Sequence, residues 1–156
     1  MNRHTRISIA VLVAGGLWGC TSTQPPTISV LEARVADRTE QGVVIEFLIE
    51  ADNPNEAALP LRKVDYTVSI AGDRVFAGTR SPEATIRRFG RQRFTFPASF
   101  AAGPGVIAGE VEYEVSGEVK YVVAGAITQT LLDEEYSELS APFQGSGRLK
   151  IPDTTK

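Results

Sequence analysis

The stretch Val43-Val44-Ile45-Glu46-Phe47-Leu48-Ile49-Glu50-Ala51-Asp52-Asn53-Pro54-Asn55, resumed after a link of polar and small residues by Leu61 to Ile70, decides the fold. Val43, Ile45, Phe47 and Ile49 fall on one face of the first segment. Val64, Tyr66, Val68 and Ile70 do the same in the second, with Asp65, Thr67 and Ser69 opposite. Strict period-two alternation marks a half-buried strand. Asn53-Pro54-Asn55 forms the corner between the two. Pro54 removes a ladder donor and fixes φ, and the flanking amides can bond nearby backbone. The simplest role for these three residues is therefore to end a strand and shape a turn.

The same alternation recurs outward in both directions. Ile28 to Asp37 is a strand with Ile28, Val30, Ala33 and Val35 apolar and an imperfect phase, followed by a turn from Arg38 to Gly42. After Ile70, Ala71-Gly72-Asp73 reads as a hairpin turn, and Arg74 to Thr79 pairs back. Arg80 to Gly90 is a polar connection with a short strand or turn at Ala84-Thr85-Ile86. Arg91 to Phe100 follows, with Phe94, Phe96, Ala98 and Phe100 in phase and Pro97 on the other side, a placement that favours a sheet edge or a bulge. Ala101 to Gly109 is a loop or a brief helical turn. The longest alternation sets Val111, Tyr113, Val115, Gly117, Val119 and Tyr121 against Glu112, Glu114, Ser116, Glu118 and Lys120. Gly117 there bends the strand or receives a neighbour closely. Ala124 to Ala141 reads as an insertion with a little helix or a short hairpin. Phe143 to Ile151 is the last strand, with Phe143, Gly145, Gly147, Leu149 and Ile151 in phase, and the tail from Pro152 frays. About seven short strands with turn signals between them predict an all-β chain, an antiparallel β-sandwich of immunoglobulin or fibronectin-III type over residues 28–151.

The N-terminus has a different composition. Arg3 and Arg6 precede an apolar run from Ile7 to Leu17, and Trp18-Gly19-Cys20 follows. A basic start, a short apolar core and small residues before a cut describe a secretory signal over residues 1–19. The run is too short for a bilayer, which takes roughly 20 apolar residues. Leu17-Trp18-Gly19-Cys20 resembles the bacterial lipobox, in which the cysteine is acylated and becomes the first residue. Trp18 is bulkier than that pattern favours. A free cysteine beside an ordinary cleavage site is the alternative. Thr21 stands where an Asp would favour retention in the inner membrane. The resemblance therefore implies a palmitoylated outer-membrane lipoprotein facing the periplasm, its domain joined to the lipid by a tether over residues 20–27.

Processing at Cys20 would strip the chain of most reactive side chains. Its single His, Met and Trp are His4, Met1 and Trp18, and its single Cys is Cys20. A mature chain without imidazole or free thiol excludes His or Cys metal sites and His- or Cys-dependent nucleophilic catalysis. General acid-base work would fall to carboxylates, Lys or Tyr alone. Without Arg3 and Arg6, the 16 basic residues fall to 14 against 19 acidic ones, a net of −5. An acidic domain is a poor prospect for nucleic acid. The expectation is a protein that is not an enzyme, with no cofactor and no small-molecule substrate.

Three charged groups are candidate sites. Arg80, Arg87, Arg88, Arg91 and Arg93 surround one loop. They suit an anion or lipid-headgroup contact, or simply a solvated hairpin tip that guards an edge strand. Asp133, Glu134, Glu135 and Glu138 offer oxygens to a hard cation, but their spacing fits no cation loop, and a solvated acidic face is the better reading. Glu112, Glu114 and Glu118 line the wet side of one strand.

Val43 to Asp52, the Asn53-Pro54-Asn55 corner, Leu59-Pro60-Leu61, the Tyr66-bearing strand, Gly78 before a polar loop, and Phe143-x-x-x-Gly147-x-Leu149 occur here in order. Together they resemble the water-stress-and-hypersensitive-response (WHy) domain of the type 2 late-embryogenesis-abundant proteins. The resemblance runs from about Ile28 to Ile151, and Thr130 to Ser140 departs from the pattern. It implies a folded sandwich without a cofactor and an association with desiccation or other stress, in contrast to disordered stress proteins, which lack a core. The function expected is a non-catalytic, envelope-anchored stress lipoprotein that protects or contacts macromolecules, whether client proteins or envelope components. The alternative is an envelope binding or assembly module for a protein, glycan or lipid partner.

Overall fold

A computed structural model describes residues 23–101, 108–123 and 138–153. The signal sequence with Cys20, the loop expected after Ala101, most of the insertion expected after Val123, and the last three residues lie outside the described residues. The rest forms eight strands and, among the described residues, no helix: β1 (Thr27–Arg38), β2 (Gly42–Asn53), β3 (Leu59–Ile70), β4 (Asp73–Arg80), β5 (Thr85–Ile86), β6 (Gly90–Ala101), β7 (Gly109–Tyr121) and β8 (Leu139–Ile151). Every pairing is antiparallel. One sheet has the order β1-β2-β6. The other has the order β4-β3-β7-β8, with β5 paired to the start of β3. The chain is an antiparallel β-sandwich of two sheets.

The alternation explains why these strands form and how they face. Val43, Ile45, Phe47, Ile49 and Ala51 of β2 are all buried, as are Val64, Tyr66, Val68 and Ile70 of β3. These two rows supply the facing walls of the core. Phe96 of β6 ties the walls together. Its ring centroid lies 5.6 Å from that of Phe47, 4.2 Å from that of Tyr66 and 5.9 Å from that of Phe143. Such aromatic pairs are each worth about 0.5–1.5 kcal/mol beyond the area they bury. The Tyr66 hydroxyl donates to the Pro97 carbonyl on the opposite sheet, so its polar end is satisfied inside the sandwich.

Several local expectations acquire a physical form. The imperfect phase of β1 is a bulge: its register on β2 shifts between Val30 and Glu32, and Leu31 is left exposed. One extra residue moves the apolar face from Ile28 and Val30 to Ala33 and Val35. Pro97 does lie on an edge strand, since β6 closes its sheet. Ala71 (φ 50°) and Gly72 (φ 88°) form the two-residue turn between β3 and β4. Two positive φ values are what a hairpin turn matched to strand twist requires. The last strand starts earlier than its alternation shows. Leu139-Ser140-Ala141, assigned to the insertion on sequence, opens β8 opposite Tyr121, Lys120 and Val119. β1 also starts one residue early, at Thr27, and Pro26 before it is already buried. The domain therefore takes in the end of the tether, with the Gln24 backbone already bonded to Asn55.

Strand directions put the chain's connections at two ends. One end holds the lead-in to β1, the β2–β3 corner, β5, the turn into β6, and the points where the chain leaves β7 and starts β8. The Asn-Pro-Asn corner and the arginine-bearing loop meet there.

Candidate functional site

Asn53 is the last residue of β2, paired with Gly90 of β6, and its side chain is completely buried. It is the one buried polar or charged residue among the described residues. Its Nδ2 donates to the carbonyls of Ala57 (2.8 Å) and Arg87 (3.0 Å). Its Oδ1 accepts from the Asn55 backbone N–H (3.0 Å) and from Asn55 Nδ2 (2.8 Å). An amide has two donors and two acceptor lone pairs, and here all four are used. The Asn53 Oδ1 bond to the backbone two residues on is an Asx turn, which lets the chain leave the ladder at Pro54.

Asn55 extends the network to the start of the domain. Its side-chain amide pairs with the Gln24 backbone in both directions: Gln24 N–H donates to Oδ1 (2.8 Å) and Nδ2 donates to the Gln24 carbonyl (2.8 Å). The Asn55 carbonyl accepts from Phe89 N–H (3.0 Å), and Gly90 N–H closes a turn on the Arg87 carbonyl (3.1 Å). The motif thus ties four segments together: the lead-in at Gln24, the corner itself, the Ala57 loop, and the Arg87–Gly90 turn. Its side-chain amides bond nearby backbone and each other, so it is a structural hub.

The arginine cluster divides in two. Arg93 Nε donates to Glu50 Oε2 (2.8 Å), and Arg91 Nε donates to Asp52 Oδ2 (3.2 Å) while its Nη1 lies 3.8 Å from Glu50 Oε1. These are cross-strand pairs of β6 and β2, Arg93 opposite Glu50 and Arg91 opposite Asp52. Each is worth about 0.2–1 kcal/mol. Arg80, at the end of β4, approaches the Tyr66 hydroxyl; burial raises the Tyr66 pKa and Arg80 pulls it partly back. Arg87 and Arg88 are exposed on the turn and have no ion-pair partner among the described residues. The sequence grouped five arginines; the structure leaves two of them free at one tip.

Phe89 sits between those two and Gly90. It is 67% exposed and has φ 48°. A bulky residue in the left-handed region is an outlier that the surroundings must impose, and the Phe89 N–H bond to Asn55 does so. Sequence reasoning passed over this residue. Its signal was a lone aromatic in a polar loop, flanked by Arg88 and Gly90.

The remaining surface gives little chemistry. Shallow grooves cross the outer face of the larger sheet, one between Ser69, Glu112, Glu114, Ser146 and Arg148, another between Asp65, Thr67, Thr79, Ser116 and Glu118. Asp65 accepts a hydrogen bond from the Thr79 hydroxyl, which with nearby Lys63 lowers its pKa and keeps it an acceptor. Among the described residues, no group of three or more His, Cys, Asp or Glu could hold a metal ion. Of the acidic stretch, Asp133, Glu134 and Glu135 lie outside the described residues and Glu138 is exposed.

A two-sheet antiparallel sandwich whose most connected polar residues hold its own loops defines a β-sandwich scaffold. The chain belongs to the late embryogenesis abundant protein family: the family model matches residues 48–155, from the middle of β2 onward. The fold is similar to the solution structure of AT1g01470 from Arabidopsis thaliana, at TM-score 0.65 and 15% identity, over 94% of this chain and 93% of that one. It is also similar to the solution structure of a putative late embryogenesis abundant protein, At2g46140.1, at TM-score 0.61 and 16% identity, over 81% of this chain and 71% of that one. A protein from Archaeoglobus fulgidus matches at TM-score 0.50 and 11% identity, over 80% and 99% of the two chains. None of the curated proteins compared with the chain matches it significantly. Membership of this family points to a water-stress-related, non-enzymatic protein.

Proposed function

We propose that the chain is a WHy-type stress lipoprotein, anchored in the cell envelope through an acylated Cys20, whose folded surface protects macromolecules during water loss. The observation that carries the protective role is the family match over a sandwich with a closed apolar core, from Val43 to Ile151. Such a domain is folded before stress arrives, whereas disordered protectants gain structure as water leaves. Protection then comes from the surface and rises with the molar ratio of domain to client.

The test is a drying and rehydration assay with an aggregation-prone enzyme as client. The domain from Thr21 to Lys156 is expected to unfold cooperatively in buffer, to keep a β-rich far-UV spectrum through drying, and to preserve client activity. An equal mass of an unrelated sandwich domain is the control for crowding. Equal protection by that control overturns the protective role and brings forward the envelope binding module.

The anchor is tested separately. Intact mass of the membrane fraction is expected to show cleavage before Cys20 plus acyl chains, and Cys20→Ala is expected to abolish both. More than one acyl chain gives stable attachment, at about 0.8 kcal/mol per buried CH₂. An unmodified, freely soluble wild-type protein refutes it.

A further inference from the structure

The hub joins two features that have no structural need to be neighbours. The first is the start of the domain. Gln24 is pinned to Asn55 by two hydrogen bonds, and it lies four positions along the chain from Cys20. Fully extended, that length spans at most about 14 Å. The second is the Arg87–Gly90 turn, held by Asn53 through the Arg87 carbonyl and by Asn55 through Phe89 N–H. Whatever holds Cys20 therefore lies close to this turn.

The turn has the composition of a membrane-interface contact. Phe89 is 67% exposed on a backbone that its two asparagine-held anchors keep in the left-handed region. Arg87 and Arg88 precede it and have no ion-pair partner among the described residues, while Arg91 and Arg93, at the start of β6, are paired with Glu50 and Asp52. Leu139, at the start of β8, is exposed at the same end. Two of the three exposed large apolar side chains among the described residues thus lie where the chain departs toward Cys20, the other being Leu31. Glu56, Glu83 and Glu138 are also exposed there, so bulk charge does not drive the contact. An aromatic ring at headgroup depth beside two guanidinium groups does.

We propose that the Arg87–Gly90 turn is the membrane-facing tip of the domain, with Phe89 inserted in the interfacial layer of an anionic phospholipid bilayer and Arg87 and Arg88 on lipid phosphates. The proposal rests on acylation at Cys20. It fixes the orientation: the β2–β3 corner faces the bilayer, and the Thr39–Gln41 and Ala71–Gly72 turns face away.

The processed chain has no tryptophan, because Trp18 leaves with the signal, so one introduced tryptophan reports alone. The acylated full chain carrying Phe89→Trp is reconstituted in vesicles of phosphatidylethanolamine and phosphatidylglycerol. Its emission is expected to shift to the blue and to be quenched by lipids with brominated acyl chains. The same chain with Glu40→Trp, at the far end, is expected to do neither. Adding Arg87→Gln or Arg88→Gln to the Phe89→Trp chain should lower the inserted fraction by about fivefold each, with the melting temperature unchanged. Intact mass and vesicle flotation report the anchor. A chain that is acylated and floats, yet leaves the Phe89→Trp reporter in water, overturns the tip and spares the lipoprotein. Absence of acyl mass overturns both. A blue shift that needs an added envelope protein and not lipid also overturns it.

Discussion

Replacing Asn53 with alanine is expected to cost about 3 kcal/mol of folding stability and to lower the melting temperature by about 10 °C. The cost arises from the groups left behind. The carbonyl of Ala57 and the N–H of Asn55 each lose a partner at a site where the side chain is fully buried, while the Arg87 carbonyl keeps the Gly90 N–H. An orphaned buried polar group costs about 1–3 kcal/mol, and the lower end applies where loop carbonyls can recover water. Asn53→Asp sharpens the test. It keeps the shape and the acceptor for Asn55, but turns an oxygen toward two carbonyls in place of the amide donor. Burial and those carbonyls raise the folded-state pKa of the new carboxyl above its unfolded value of about 3.9. The folded form then favours the proton. Its stability deficit is full above the folded pKa and shrinks as pH falls toward the unfolded value. The Asp variant should therefore lie far below wild type at pH 7 and approach it near pH 4, with the Ala deficit independent of pH. Thermal melts followed by far-UV circular dichroism at both pH values decide it. A loss of less than about 0.5 kcal/mol for the alanine variant, the range of an ordinary surface change, would show that the hub does not hold the corner.

The fold was legible because a half-buried strand writes its burial into every second residue. Val43 to Ile49 and Val64 to Ile70 needed no partner to be recognised, and even the slip in β1 appears as a change of phase between Val30 and Ala33. The start of β8 was hidden for the converse reason. Leu139 is exposed and Ala141 is small, so the buried row there has no apolar alternation to show. The site was less legible, because its meaning depends on partners distant in sequence. Asn53 could be seen as a turn residue, which suggested one local bond; its second donor reaches Arg87, 34 positions away. Glu50 and Asp52 neutralise Arg93 and Arg91 only once β2 and β6 are in register. Phe89 looked like any loop aromatic until its φ and exposure were set by the Asn55 carbonyl.

Gly117→Ala is expected to be comparably damaging, from the sandwich's interior. Gly78, Tyr66, Gly117 and Phe143 stand side by side across β4, β3, β7 and β8. The Phe76 ring occupies the space where a Cβ on Gly78 would sit, and the paired backbone of β3 closes on Gly117. A Cβ on Gly117 would lie 2.2 Å from the Asp65 carbonyl oxygen and 2.9 Å from the Tyr66 Cα. Both are backbone atoms of the paired strand and cannot rotate away, so β3 and β7 must separate locally or shift register. Overpacking of this kind costs about 3 kcal/mol, equivalent to a fall of about 10 °C in melting temperature. Ser116→Ala, one residue away on the exposed face, removes the Ser116–Thr67 hydroxyl contact of 3.2 Å and should stay within about 0.5 kcal/mol of wild type. Urea titration of the three proteins checks the contrast, and near-identical midpoints would mean that the strands accommodate a methyl group there. The same pair separates folding from protection. If protection belongs to the folded surface, Gly117→Ala should protect a client as well as Ser116→Ala does below its own melting temperature. Between the two midpoints it should lose that protection as its sheet signal disappears.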